Sequence, residues 1–125
     1  MPFSFQVSKI ARRACMRAEG AVDIQSSLAA GYRLAGDGRI GTGFRILVDM
    51  RGSSWNPSSE EAMDLATAAA QIPMQDSKLA LLVSPGGVGP AGVFRELAAA
   101  YGLAVQMFER SEEAHAWLQE SRQVH

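Results

Sequence analysis

A chain of 125 residues is the usual size of one domain, long enough to bury a core and too short to divide into two. Twelve Lys and Arg stand against thirteen Asp and Glu, for a formal charge of −1, with the signs mixed along the chain. That balance argues against a nucleic-acid surface and against a polybasic membrane patch. The single cysteine, Cys15, excludes an internal disulfide and suits a reducing cytoplasm. The opening residues alternate apolar and polar types and do not form a signal peptide, and no run nears the roughly 18 apolar residues of a membrane span.

In chain order, Phe3, Phe5 and Val7 fall on one face of a period-two segment, and Ala14, Met16 and Ala18 repeat the pattern after a basic connection at residues 9–13. This predicts an antiparallel hairpin ended by Gly20. Asp23 is placed to cap a helix carrying Ile24, Leu28, Gly31 and Ala35. Glycines at 36, 38, 41 and 43 then break the chain before a strand, Phe44-Arg45-Ile46-Leu47-Val48, whose continuous apolar character fits burial on both faces.

After a loop at residues 51–57, Ser58 and Ser59 open a helix with Ala62, Leu65, Ala66, Ala69 and Ile72 on one stripe, stopped by Pro73. A wholly apolar strand at 79–83 leads through Ser84-Pro85-Gly86-Gly87-Val88-Gly89 to a helix with Phe94, Leu97, Ala98 and Tyr101, and Gly102 is a natural stop. A strand at 103–108 and a helix from Ser111 to about Ser121 complete the order β-β-α-β-α-β-α-β-α. The expectation is one α/β domain over residues 1–125. It would hold a single-layer mixed sheet of about five strands, with an N-terminal antiparallel hairpin, the last three strands parallel, and helices on both faces.

Several local patterns bear on chemistry. Gly87-Val88-Gly89-Pro90-Ala91-Gly92 matches G-x-G-x-x-G between a strand and a helix, with Glu109 at the end of the next strand, the spacing of a dinucleotide site. Its place in the third crossover and the donor lost at Pro90 favour a structural glycine turn, which could still hold one anion at the helix start. Ser58 with Glu61 forms a capping box, and Ser58 and Ser59 are also accessible candidates for phosphorylation. Asp49, with Ser84, Gly87 and Gly89, marks the strand ends where open α/β sheets bind ligands, although Asp49 is better explained by bonds to its own loop.

Trp55, in a polar loop, either anchors a partner or folds back over the core. The closest arginine cluster, Arg12, Arg13 and Arg17, reads as a solvated hairpin in preference to an anion site. Cys15 and Trp117 read as structural. His115 and His125 lack companions at metal-ligand spacing, and no nucleophile, base and acid set can be assembled, so neither a cofactor nor a catalytic residue is assigned.

The hairpin, the strand exit Phe44-Arg45-Ile46-Leu47-Val48-Asp49-Met50-Arg51-Gly52 and the ending from Val105 to Leu118 (V-x-x-F-x-x-x-E-E-A-x-x-W-L) together resemble the SpoIIAA-like group of STAS/SEC14-type small bacterial proteins. The resemblance spans nearly the whole chain. It implies a SpoIIAA-like fold and, in the STAS branch, a non-enzymatic protein that binds an anti-sigma kinase or another signalling partner. That branch carries a phosphorylatable serine after the Asp-containing strand, which here would be Ser58 or Ser59. Where its motif resembles Asp-x-Ser-Gly, this chain has Asp49-Met50-Arg51-Gly52, and no Asp precedes its serines. The SEC14-type branch implies an apolar ligand cavity, for which this chain is short.

The sequence therefore leads to a non-enzymatic cytoplasmic regulatory module with a protein partner and a working surface at the 50s loop, Trp55 and the following helix start; a homodimer through the hairpin edge is compatible with this, and no sequence feature requires it. The alternative is a protein that holds a nucleotide, phosphate or apolar acid at the strand ends.

Overall fold

A computed structural model describes residues 3–41, 43–71 and 77–120. The predicted Ile72 stripe position, the Pro73 stop, the Ser121 helix end and His125 lie outside these residues. Strands β1 (Phe3–Ser8), β2 (Arg13–Gly20), β3 (Arg45–Ser53), β4 (Lys78–Leu82) and β5 (Val105–Phe108) alternate after the hairpin with helices α1 (Ile24–Ala35), α2 (Ser59–Ala69), α3 (Val88–Ala100) and α4 (Ser111–Gln119). The sheet order is β1-β2-β3-β4-β5, with β1 antiparallel to β2 and each later pair parallel. The expected mixed sheet is present, and β2 joins the parallel set as well.

Because the parallel crossovers all step in one direction, crossovers of a common hand deliver their helices to a single face. Ala30 and Leu34 of α1, Leu65, Ala66 and Ala69 of α2, and Ala91, Phe94 and Ala98 of α3 share one core with Met16, Ile46, Val48, Leu79 and Leu81. Gly31 has no side chain where one would meet the Cβ of Ala68, which lets α1 and α2 approach closely. Helix α4 has no strand after it and folds onto the opposite face, where Ala114 and Leu118 pack on Ala80 and Leu82, with Phe108, Trp117 and Leu47 at the margin. Both faces of β4 are thus buried, which is why it reads as an unbroken apolar run. In β1 only every second residue turns inward. It forms an edge of the sheet and alternates accordingly.

Local chemistry sets the ends of the elements. The Asp23 carboxylate accepts from Ser26 N–H at 2.8 Å and caps α1. Gly102, at φ 82°, closes α3: its N–H donates to the Ala99 carbonyl while that of Leu103 donates to Ala98, the paired bonds of a Schellman motif. Helix α4 ends without a glycine and takes its C-terminal partners from the sheet. Lys78 Nζ donates to the carbonyls of Trp117 at 2.8 Å and Glu120 at 2.9 Å, and Arg45 Nε donates to that of Leu118. These cations satisfy otherwise unpaired carbonyls and meet the negative end of the helix dipole.

Candidate functional site

The C-terminal ends of β3 and β4 bring together most of the residues singled out in the sequence. The carboxylate of Asp49, buried at 7% exposure, accepts two bonds from the Arg51 guanidinium at 3.0 and 2.9 Å and one from Arg51 N–H at 3.1 Å. These bonds hold the Asp49 carboxyl below the usual carboxylate range, against the opposing effect of burial. Asp49 thus braces its own loop. Across the gap, Ser84 Oγ donates to the Arg51 carbonyl at 3.0 Å, tying the end of β4 to the same loop.

Between the two loops lies a crevice of about 240 Å³, walled by Met50, Ser53, Ser54, Trp55 and Asn56 on one side and Val83, Ser84 and Gly86 on the other. Trp55 is half-buried and packs against the main core, so it folds back while still lending part of its ring to the crevice. Asn56, Ser58, Ser59 and Glu60 are exposed beside it. The expected capping box is formed: Ser58 Oγ accepts from Glu61 N–H at 3.2 Å, and the Glu61 carboxylate accepts from Ser58 N–H at 2.9 Å.

The glycine turn is used differently from a dinucleotide loop. Residues Pro85–Gly87 make a single 3-10 turn and α3 starts at Val88, so Gly89 and Gly92 are helical. The hollow at the ends of β4 and β5 is lined by Val88, Glu109 and Glu113 with Val83, Met107 and Arg110. Two carboxylates there oppose a pyrophosphate. The crossover order also matters: β3 and β4 both exit toward the α1–α3 face, so no topological switch point opens between Asp49 and Ser84.

A second space lies inside the main core between the sheet and α1 and α2. This cavity, about 70 Å³, is lined by Phe3, Met16, Leu34, Val48, Leu65 and Phe94 among others, with Ser27 the hydroxyl at its wall and Trp55 against it. Ser27 Oγ already donates to the Asp23 carbonyl at 2.9 Å. The space is apolar and suits an apolar group.

Cys15 is half-buried on the α4 side of β2, and its thiol pKa is raised, first by burial and then by the Asp49 charge, which works against a reactive thiolate. Sequence reasoning weighed Arg13 only within a solvated cluster with Arg12 and Arg17 and missed Arg45 and Lys78 beside it. Arg13, Arg45 and Lys78 are the first residues of β2, β3 and β4 and stand in register on one face. A charged residue opening each of three neighbouring strands was the available signal.

No protein-family model matches the sequence, and no curated protein matches it. Among solved structures, the chain is similar to an uncharacterised protein of the DUF3478 family from Shewanella loihica PV-4, described as having a SpoIIAA-like fold. The two are 18% identical, with a TM-score of 0.55 over 93% of this chain and 91% of that one. The fold is SpoIIAA-like. No helix among the described residues is long and apolar enough to cross a membrane.

Proposed function

We propose that this chain is a non-enzymatic cytoplasmic regulatory module that binds a partner protein at the crevice between the 50s loop and the turn at residues 83–86. The observation that carries the reading is the crevice itself: Trp55 in its wall, exposed Asn56, Ser58 and Ser59 at its rim, and a volume suited to one inserted side chain. Supporting it, the side chains that could serve chemistry here are committed elsewhere. Asp49 is paired with Arg51, Ser84 with the Arg51 carbonyl, and Ser58 with the helix it caps. A phosphate on Ser58 or Ser59 would add about two negative charges at the positive end of α2 but next to Glu60 and Glu61, changing the charge of the rim without new chemistry in the crevice.

The test is native mass spectrometry on protein purified from its own cells, compared with the denatured mass, followed by Asn56→Arg and Trp55→Ala. Asn56 is exposed, so its variant keeps the fold, and the expected result is loss of the co-purifying partner at an unchanged thermal midpoint. Retention of the partner by both variants would overturn the reading. A second reading rests on the apolar cavity, which favours a small apolar acid or similar group held under Trp55. A small molecule present in the native mass and absent from the denatured mass supports that reading over the first.

A further inference from the structure

The α4 side of the sheet is only half covered, and a groove of about 230 Å³ remains where β1, β2 and β3 run out from under α4. Its walls include Gln6 and Ser8 of β1, Arg13 of β2, Arg45 of β3, and His115 and Leu118 of α4. Ser8 and Arg45 are the register partners of Arg13 on either side, so two guanidinium groups start side by side on adjacent strands. They are not equivalent. Arg45 donates Nε to the Leu118 carbonyl, whereas Nη2 of Arg13 is buried and finds no acceptor among the described residues.

A desolvated cationic donor with no acceptor is costly, and a neighbouring cation increases the cost. Among the described residues no carboxylate forms an ion pair with Arg13; Asp49 is held by Arg51 and Glu112 of α4 pairs with Arg110 at 3.4 Å. An oxyanion entering the groove would meet the Arg13 fork, with the Gln6 amide and Ser8 hydroxyl as further donors and His115 opposite. The other side chains on this face, Cys15 and Leu47 with Leu118 of α4, are largely apolar, whereas Val7 and Ala14 turn into the main core and contribute backbone. A guanidinium with a nitrogen unpaired among the described residues, above a floor of Leu47 and Leu118, matches a single negative charge on an apolar body.

We infer that this groove is a binding site for a small monocarboxylate, its carboxyl group on Arg13 and its apolar part on Leu47 and Leu118. The site lies across the sheet from the apolar cavity and away from the Trp55 crevice, so it stands independently of both readings above.

The test titrates hexanoate and benzoate, with inorganic phosphate in parallel, into the full chain at millimolar concentration. Amide chemical shifts and the thermal midpoint are the readouts. The expected result is saturable shifts at Gln6, Arg13 and His115 with a raised midpoint, at least ten-fold weaker binding in Arg13→Gln, and unchanged binding in Arg17→Gln, an exposed arginine of the same strand. Without ligand, Arg13→Gln should melt no lower than the parent, because it removes a charge that has no partner among the described residues. Three outcomes would each overturn the proposal: no saturable response, phosphate binding as tightly as the carboxylates, or an Arg13→Gln protein that melts several degrees lower.

Discussion

Replacing Lys78 with Met tests whether the sheet supplies the C-terminal cap of α4. Lys78 is 8% exposed, donates to two carbonyls at 2.8 and 2.9 Å, and holds its ammonium 4.9 Å from the centre of the Trp117 ring. Met keeps the length and apolar packing of the stem and removes only the charge and the donors. Each bond to a charged donor is worth about 1.5–3 kcal/mol. Two offsets reduce the sum: the ammonium no longer has to be desolvated, and water reaches the freed carbonyls because Gln119 and Glu120 are exposed. The net expectation is a loss of about 2 kcal/mol, close to one such bond. With a urea slope of about 2 kcal/mol per molar, the midpoint should fall by about 1 M at unchanged slope. Urea unfolding followed by far-ultraviolet circular dichroism and tryptophan fluorescence measures it. A midpoint within about 0.2 M of the parent would show that hydration serves the carbonyls equally well and refute the capping argument.

Three further outcomes follow from the same bonds and burial. Ser58→Ala should lose about 1 kcal/mol in urea unfolding by removing the capping box, whereas Ser59→Ala, one residue inside the helix, should stay within about 0.5 kcal/mol. Leu118→Ala, at a site 1% exposed, should cost about 2–5 kcal/mol and release α4 first, seen as loss of amide protection confined to residues 111–119. Asp49→Asn should narrow the acid dependence of stability. Arg51 depresses the folded-state pKa of Asp49, so its stabilisation is full above the unfolded value of about 3.9 and disappears as pH falls through the lower folded value. The gap between parent and variant should therefore be constant from neutral pH to about pH 5 and shrink below it, and a gap that widens on acidification would contradict the assignment.

The sequence revealed elements better than faces. Period-two alternation in Phe3, Phe5 and Val7 and the apolar run through Ile46, Leu47 and Val48 reflect burial of one side or of both, so the strands were legible. Caps were legible for the same reason: Asp23, Ser58 and Gly102 act on backbone groups within a few residues of themselves. What a local pattern does not encode is which helix lies on which side. That α1, α2 and α3 share a face follows from the strand order, and strand order is decided by pairings far apart in sequence. Trp55 shows the same limit. Its polar neighbours describe a loop, whereas its inward fold depends on the core beneath it.

The strand-start cations explain why the candidate sites were only partly legible. Arg13, Arg45 and Lys78 each look like a solvated residue at the mouth of a strand, and period two correctly sets them opposite the main core. Their fates diverge because α4 covers β4 fully, β3 at its margin and β2 hardly at all. Under full cover, Lys78 becomes a helix cap; at the margin, Arg45 shares that task through Leu118; beyond it, Arg13 keeps a buried nitrogen without an acceptor among the described residues. One repeated sequence feature thus yields two structural caps and one candidate binding group, and the distance of each strand from α4 decides which.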